Sequence, residues 1–211
     1  MPRIAVIDFE TTGLRAGSDR IIEVGAAIME GGEVVGTFSE LINPGFRIPS
    51  FITQLTGISD AMVQDSPRAD AVMPRLRTFL GDAVCVAHNA GFDQRFFTAE
   101  MTLARECHDR RFLCTMLLAR RLVQDAPSHQ LGVLVRHLGL SLAPGLRAHR
   151  ALDDVLMTCA LWTRLNGILS ARLHGRSTDL ETLSRIMRIS KKTVDGYLSA
   201  LASTGVAQQA S

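Results

Sequence analysis

Four acidic side chains and one histidine stand in this chain in an order and setting suited to holding divalent cations. Asp8 and Glu10 close the apolar run of IAVIDFETTGL, residues 4 to 14. Asp93 lies in VAHNAGFDQRFF, residues 86 to 97, and His149 and Asp154 lie in HRALDD, residues 149 to 154. A carboxylate is costly to bury without a cation, so acids set into apolar strands and helices need an explanation. Hard ions such as Mg²⁺ and Mn²⁺ take oxygen ligands of this kind. Together the five residues read as a two-metal phosphodiesterase site with a histidine general base.

The elements that must position them can be read around each motif. Residues 3 to 8 (RIAVID) form a buried strand ending in acid. Strand geometry puts residues i and i+2 on one face, so Asp8 and Glu10 can converge on one ion. Residues 20 to 30 and 33 to 42 flank Gly31-Gly32 and read as an antiparallel hairpin. Short helices and turns are expected over 51 to 65, with Gly57 between them. A helix is expected over 68 to 80, with Pro74 near its middle. Residues 83 to 87 (AVCVA) read as a buried strand, 91 to 105 as a helix and 111 to 114 as a short fifth strand. Helices follow at about 115 to 123, 129 to 138 and 150 to 173. The order predicts an α/β fold: a mixed five-stranded sheet flanked by helices, with a small helical C-terminal tail.

Each chemical residue also has a plainer role open to it. Asp93 falls in the first turn of its helix, where an acid favours the helix dipole. Five residues separate His149 from Asp154, about 1.4 helical turns, so they converge only if His149 lies in the loop before the helix. Asp153 competes with Asp154 for the ligand role. Asp154 shares a stripe with Thr158, Leu161 and Leu165, which look core-facing, whereas Asp153 shares one with Met157, Ala160 and Arg164. The stripe favours Asp154 and leaves Asp153 solvated.

Bulk composition narrows the class. At 211 residues, 46% hydrophobic and 21% charged, the chain suits a globular protein with one substantial core and a small appendage. No apolar stretch reaches the length of a membrane span. MPRIAVIDF shows no signal-peptide architecture, which with the cysteines gives an expected cytoplasmic location. Cys85, Cys107, Cys114 and Cys159 lack C-x-x-C spacing and read as free thiols in a reducing compartment, not as a zinc site. A net charge of +2 is too mild to argue nucleic-acid binding by itself. Lys191 and Lys192 are the only lysines; every other fixed cation is arginine.

IAVIDFETTGL, HNAGFD and HRALDD resemble the three exonuclease motifs of the DEDDh (DnaQ-like) 3′-5′ exonucleases. LTGIS (55 to 59) and LLARRLVQDAPSHQLGVLVRHLGL (117 to 140) are also similar to that family, so the likeness covers roughly residues 3 to 170. The family includes proofreading subunits of the type found in DNA polymerase III, RNase T and oligoribonucleases. The resemblance implies a ribonuclease H-like fold, two Mg²⁺ or Mn²⁺ ions per site, and release of nucleoside 5′-monophosphates from 3′ ends. It implies Asp8, Glu10, Asp93 and Asp154 as metal-site acids and His149 as general base. The backbone of Thr11, Thr12 and Gly13 would hold the terminal 3′-OH. Thr56 and Ile58 would lie against the terminal sugar and base, and Asn89 near the scissile phosphate. Two departures bear on substrate preference. Cys114 stands where the family often has an acid, and Thr56 where proofreading subunits carry histidine.

DFETTGL is closer to the DNA-type proofreading group than to the oligoribonucleases. DNA with single-stranded or frayed 3′ ends is therefore the favoured substrate, RNA the alternative, and a polymerase subunit a further partner to be tested. A rival of another class is a non-catalytic nucleic-acid-binding module whose working part is the tail. Residues 1 to 174 would form the exonuclease domain and 175 to 211 a helix-turn-helix-like tail. Thr178 and Glu181 form a T-x-x-E capping box there. Leu180, Leu183 and Met187 make an apolar stripe; Ser190 can cap a second helix and Gly205 end it. Such a tail either docks on the core or a partner, or presents Lys191, Lys192 and Thr193 to nucleic acid.

Overall fold

The apolar run at the N-terminus becomes the middle strand of the sheet. The computed structural model describes residues 3–141 and 149–204. In it β1 (Ile4–Thr11) is flanked by antiparallel β2 (Ile21–Glu30) and by parallel β4 (Val84–Ala87). β3 (Glu33–Leu41) pairs with β2, and β5 (Phe112–Cys114) with β4, giving the order β3-β2-β1-β4-β5. The β2–β3 turn carries Gly31 at φ 60° and Gly32 at φ 97°. Two consecutive left-handed residues match the twist of a two-residue hairpin, which is why glycine occupies both. The expected mixed five-stranded sheet is the one found.

Helices cover both faces. α1 (Ser50–Thr56) and α2 (Asp60–Val63) follow the hairpin, then α3 (Ala69–Leu80) and α4 (Gly91–Leu103). α5 (Thr115–Leu122), α6 (Leu131–His137) and the long α7 (Ala151–Arg172) come next. Alternation along β1 divides the core. Ala5, Ile7 and Phe9 pack with Val72, Met73, Leu76 and Leu80 of α3 and with Phe96 and Phe97 of α4. Ile4 and Val6 face Leu118 of α5 and Trp162 and Leu165 of α7. Asp8 and Glu10 continue that second row, so they emerge on the α7 side. Pro74 does not end α3. Its roughly 3 kcal/mol helix penalty is outweighed by four neighbouring buried side chains, each worth roughly 1.5–3 kcal/mol.

The tail docks on the core. α8 (Leu180–Arg188) and α9 (Val194–Thr204) bury Leu183, Ile186, Met187, Val194 and Leu198 in the cluster that holds Leu118 and Leu165. Arg121 Nε donates to Ile189 O at 2.5 Å and Arg111 donates to Ser184 Oγ at 2.7 Å. The expected T-x-x-E box is not what starts α8. Asp179 is the N-cap, its carboxylate accepting from Thr182 N at 2.7 Å. A carboxylate one residue nearer the helix competes successfully with the Thr178 hydroxyl for the free N–H groups. Ser190 meets the Thr193 hydroxyl at 3.0 Å in the turn before α9. Gly205 lies outside the described residues.

Candidate active site

The site forms where the pairing of two neighbouring strands ends. β1 pairs with β4 at Ile4, Ala5 and Val6, and β1 runs on to Thr11 while β4 ends at Ala87, so Asp8 and Glu10 lie beyond the last position paired with β4. Clefts at the carboxyl ends of strands are the usual ligand positions in sheets of this kind. Asp93 enters from the first turn of α4 and is 2% exposed. Burial raises the proton affinity of its carboxyl, and the nearby backbone N–H groups of Asp93 and Phe9 offset part of that rise. Asp93 thus stands where a helix dipole favours an acid, and its charge is also felt at Asp8.

Asp154 lies in the first turn of α7, and His149 in the chain just before it. The His149 N–H donates to Asp154 Oδ2 at 3.1 Å. His149 has φ 64° and Asn89 has φ 66°. Left-handed backbone is uncommon away from glycine, costs of order 1–3 kcal/mol, and concentrates at functional sites. Ligand atoms of Glu10, His149 and Asp154 lie within 4.8 Å of one another. Asp8 stands at the centre electrically. Burial first, then the charges of Asp93, Asp154, Glu10 and Glu23, hold its carboxyl well above the usual carboxylate range. Asp153 is half-buried, not simply solvated, and its charge reaches both Arg150 and Asp154.

The other acids respond in the same way. Burial, then Asp154 and Glu23, push Glu10 up to about 8 against a pull from Arg150. Burial raises Asp93 to about 8, and burial also raises Asp154. A carboxyl with raised proton affinity in the folded state loses stability as pH climbs from its unfolded value through its folded one. For Glu10 and Asp93 that window runs from 4.5 and 3.8 up to about 8. Without a divalent cation the protein is therefore expected to melt at higher temperature at pH 6.5 than at pH 8. Saturating Mg²⁺ or Mn²⁺ should flatten the difference; scanning calorimetry in chelator and in metal would show it. A melting temperature in chelator that is level over this range would contradict the crowded-acid account. Below pH 6.5 buried His88, lowered to about 4, acts with the opposite sign. Its Nε2–H donates to His129 O at 2.9 Å, leaving Nδ1 to accept from the Thr115 hydroxyl at 2.8 Å.

Three residues outside the expected set hold the site in shape. Glu23, on β2 opposite Glu10, is 2% exposed. It takes Arg150 Nη2 at 2.7 Å and Nε at 3.2 Å, and the Ala151 N–H at 3.0 Å. Gly25 stands opposite Asp8, and a Cβ there would come within 2.5 Å of the Ala151 carbonyl carbon. The start of α7 is thus pressed onto β2 and hydrogen-bonded to it. The available signals were an acid inside the apolar run IIEVGAA and an arginine beside the motif histidine.

The remaining expected positions are more enclosed. Thr12 N–H donates to Arg20 O at 2.9 Å, and its hydroxyl accepts from Arg20 N at 3.0 Å. Thr11 Oγ1 donates to Gly13 O at 2.6 Å. Gly13 is pressed against Asp19, whose carboxylate would lie 2.6 Å from any Cβ. Thr56 Oγ1 donates to Ile52 O at 3.0 Å and accepts from Ile58 N at 3.1 Å. Ile58 is fully buried with Ile22, Ile48, Ile52 and Val63. Cys114, at the family's acid position, caps α5 by accepting from Leu117 N at 3.5 Å. All four cysteines are free, and Cys107 alone is exposed.

The order of strands and the flanking helices define a ribonuclease H-like fold, and comparison with known proteins agrees. The family model described as an exonuclease matches residues 5–162. A Mycobacterium tuberculosis protein, named as a bifunctional exonuclease/endonuclease, is 45% identical over 165 residues, 72% of this chain and 25% of its own. The PolC-type DNA polymerase III of Clostridium perfringens is 38% identical over 156 residues, 74% of this chain and 11% of its own. This chain thus spans a quarter or less of these relatives. Exonuclease X, solved in complex with 5′ overhanging duplex DNA, superposes with a TM-score of 0.69 at 29% identity. That match covers 87% of this chain and 99% of the other. The chain belongs to the exonuclease family. That family is metal-dependent. The oxygen-rich donor set of this pocket, with one imidazole at its margin, fits a hard divalent cation.

Proposed function

We propose that this protein is a metal-dependent 3′-5′ exonuclease that removes nucleoside 5′-monophosphates from single-stranded or frayed DNA 3′ ends. The reading rests chiefly on the convergence of Glu10, His149 and Asp154 within 4.8 Å, beside Asp8 and Asp93. Asp8, Glu10, Asp93 and Asp154 would hold two Mg²⁺ or Mn²⁺ ions. Such ions would neutralise charge developing on the phosphate and on the leaving 3′ oxygen. His149 takes a proton from the attacking water at an imidazole nitrogen, and its exposed position before α7 leaves it open to solvent. The loop of Thr11, Thr12 and Gly13 faces the terminal 3′-OH. Thr56 and Ile58, with buried side chains, act on the terminal nucleotide through the backbone of their turn, and Asn89 lies near the scissile phosphate.

DNA is favoured because several relatives are DNA polymerase III enzymes and Exonuclease X was solved with DNA. The same relatives suggest a role in proofreading or repair, a polymerase subunit as partner and a cytoplasmic location. Among the described residues no helix is long and apolar enough to cross a membrane. Residues 1–174 are taken as the catalytic unit and 175–211 as its helical tail.

The test is hydrolysis of matched DNA and RNA strands labelled at either end, with Mn²⁺ or chelator. Mononucleotide release from DNA 3′ ends, lost in chelator, is expected; release from 5′ ends, or faster attack on RNA, would overturn the corresponding part. His149→Ala is expected to lower turnover by about 10²–10⁴-fold, the range for a lost general base. Its Mn²⁺ affinity, read by calorimetry, should stay within a few-fold of the parent. A large loss of affinity would make His149 a ligand instead.

A further inference from the structure

The chain's two lysines are adjacent, both are exposed, and neither joins an ion pair among the described residues. They sit in the turn between α8 and α9, and that turn is fixed to the body of the enzyme. Arg121 Nε holds Ile189 O at 2.5 Å, and Gln124 Nε2 holds Lys191 O at 3.2 Å. Val194 and Leu198, just beyond, are buried. The apolar faces of both tail helices are therefore taken up inside the molecule, and the lysines are what the turn offers outward.

Hydrogen bonds and chain neighbours link this turn to His88, five residues before Asp93. Gln124 follows Val123, whose carbonyl is met by His129 Nε2 at 3.1 Å. The His129 carbonyl accepts from His88 at 2.9 Å. His88 and Asn89 lie in the turn that joins β4 to α4, the helix that carries Asp93. Charges along this link act on the histidines: beyond the effect of burial, Arg120 is felt at both His88 and His129, and Lys191 at His129.

We propose that Lys191 and Lys192, together with Arg120, form a docking strip for the phosphodiester backbone of the strand being degraded. This rests on the exonuclease reading and extends it to nucleotides away from the cleaved end. A pocket of four acids repels a polyanion except where cations are held in it, so strand affinity has to come from neighbouring surface. Lysine is a compact charge without the directional fork of arginine. That suits phosphates whose positions shift as a strand is shortened, and it carries no base-sequence information. The strip is expected to serve DNA and RNA backbones alike.

The experiment compares the full-length protein with the Lys191→Glu/Lys192→Glu variant. Anisotropy of a labelled long oligonucleotide is titrated in chelator over a range of salt, and turnover of long and dinucleotide substrates is followed in Mn²⁺. Affinity for the long strand should fall about tenfold or more. The salt slope should shrink by about 1.4, at about 0.7 for each single-strand phosphate no longer neutralised. Dinucleotide turnover should stay within about twofold, since those lysines lie outside the acid pocket. Lys191→Ala/Lys192→Ala is the milder companion if charge reversal lowers the melting temperature. Parent-like affinity and salt slope in both variants would overturn the strip and leave the lysines to an acidic protein partner. Equal losses on dinucleotide and long strand would overturn it too. Binding is read without turnover, so a parent that binds DNA but hydrolyses nothing would sink the exonuclease reading alone.

Discussion

Asp8→Asn is expected to lower exonuclease turnover by at least about a thousandfold, which corresponds to about 4 kcal/mol of transition-state stabilisation. The same variant should melt at a higher temperature than the parent in chelator. Both effects come from one position. Asp8 is on the middle strand, and four other acids, Asp93, Asp154, Glu10 and Glu23, push its carboxyl in the same direction as burial does. Asparagine keeps the shape and removes the charge, so repulsion among the acids falls while the central cation ligand is lost. An ordinary structural residue gives the opposite pair, since replacing it costs stability. Turnover assays and calorimetry on one preparation separate the cases. Turnover within tenfold of the parent would remove Asp8 from the centre of the site, and a lower melting temperature in chelator would show that crowding is not what raises its proton affinity.

The motif residues were legible because each carries a local signature. Asp8 ends an apolar run, Asp93 opens a helix, and Asp154 shares a stripe with Thr158, Leu161 and Leu165, all of which are buried. Elements with strong periodicity and glycine punctuation, such as the β2–β3 hairpin, were legible for the same reason. Glu23 and Gly25 were not. Their importance depends on the register of β2 against β1, and the irregular stretch from Thr12 to Arg20 hides that register from any count along the chain. The His88–Thr115–His129 set joins residues 27 and 41 positions from His88, and such pairings leave no periodic trace. The tail falls between these cases. Its apolar stripe was readable, but the surface that receives it is made by α5 and α7, whose relative placement is a tertiary result.

Gly25→Ala is the change expected to do most damage without touching any charge. An added Cβ would come within 2.5 Å of the Ala151 carbonyl carbon and 2.6 Å of Leu152 N. Those are backbone atoms in the first turn of α7, and they cannot rotate aside as a side chain tip would. The helix start must lift, and Asp154 and His149 move with it, away from Glu10. A displacement of about 1 Å in a reacting constellation can cost about a hundredfold in rate, and overpacking of this kind costs about 1–3 kcal/mol of stability. Turnover should therefore fall by about a hundredfold and Mn²⁺ affinity should weaken in a protein that still folds. Glu23→Gln reaches the same contact from the other side, by weakening the hold on Arg150 and Ala151. It also removes a charge near Glu10, so a loss of Mn²⁺ affinity in that variant alone would point to electrostatics. The same loss in neutral Gly25→Ala requires displacement. If Gly25→Ala lost stability but kept the parent's turnover and Mn²⁺ affinity, the close fit of α7 on β2 would be ordinary packing, and the position of Asp154 would have to be set by something other than that fit.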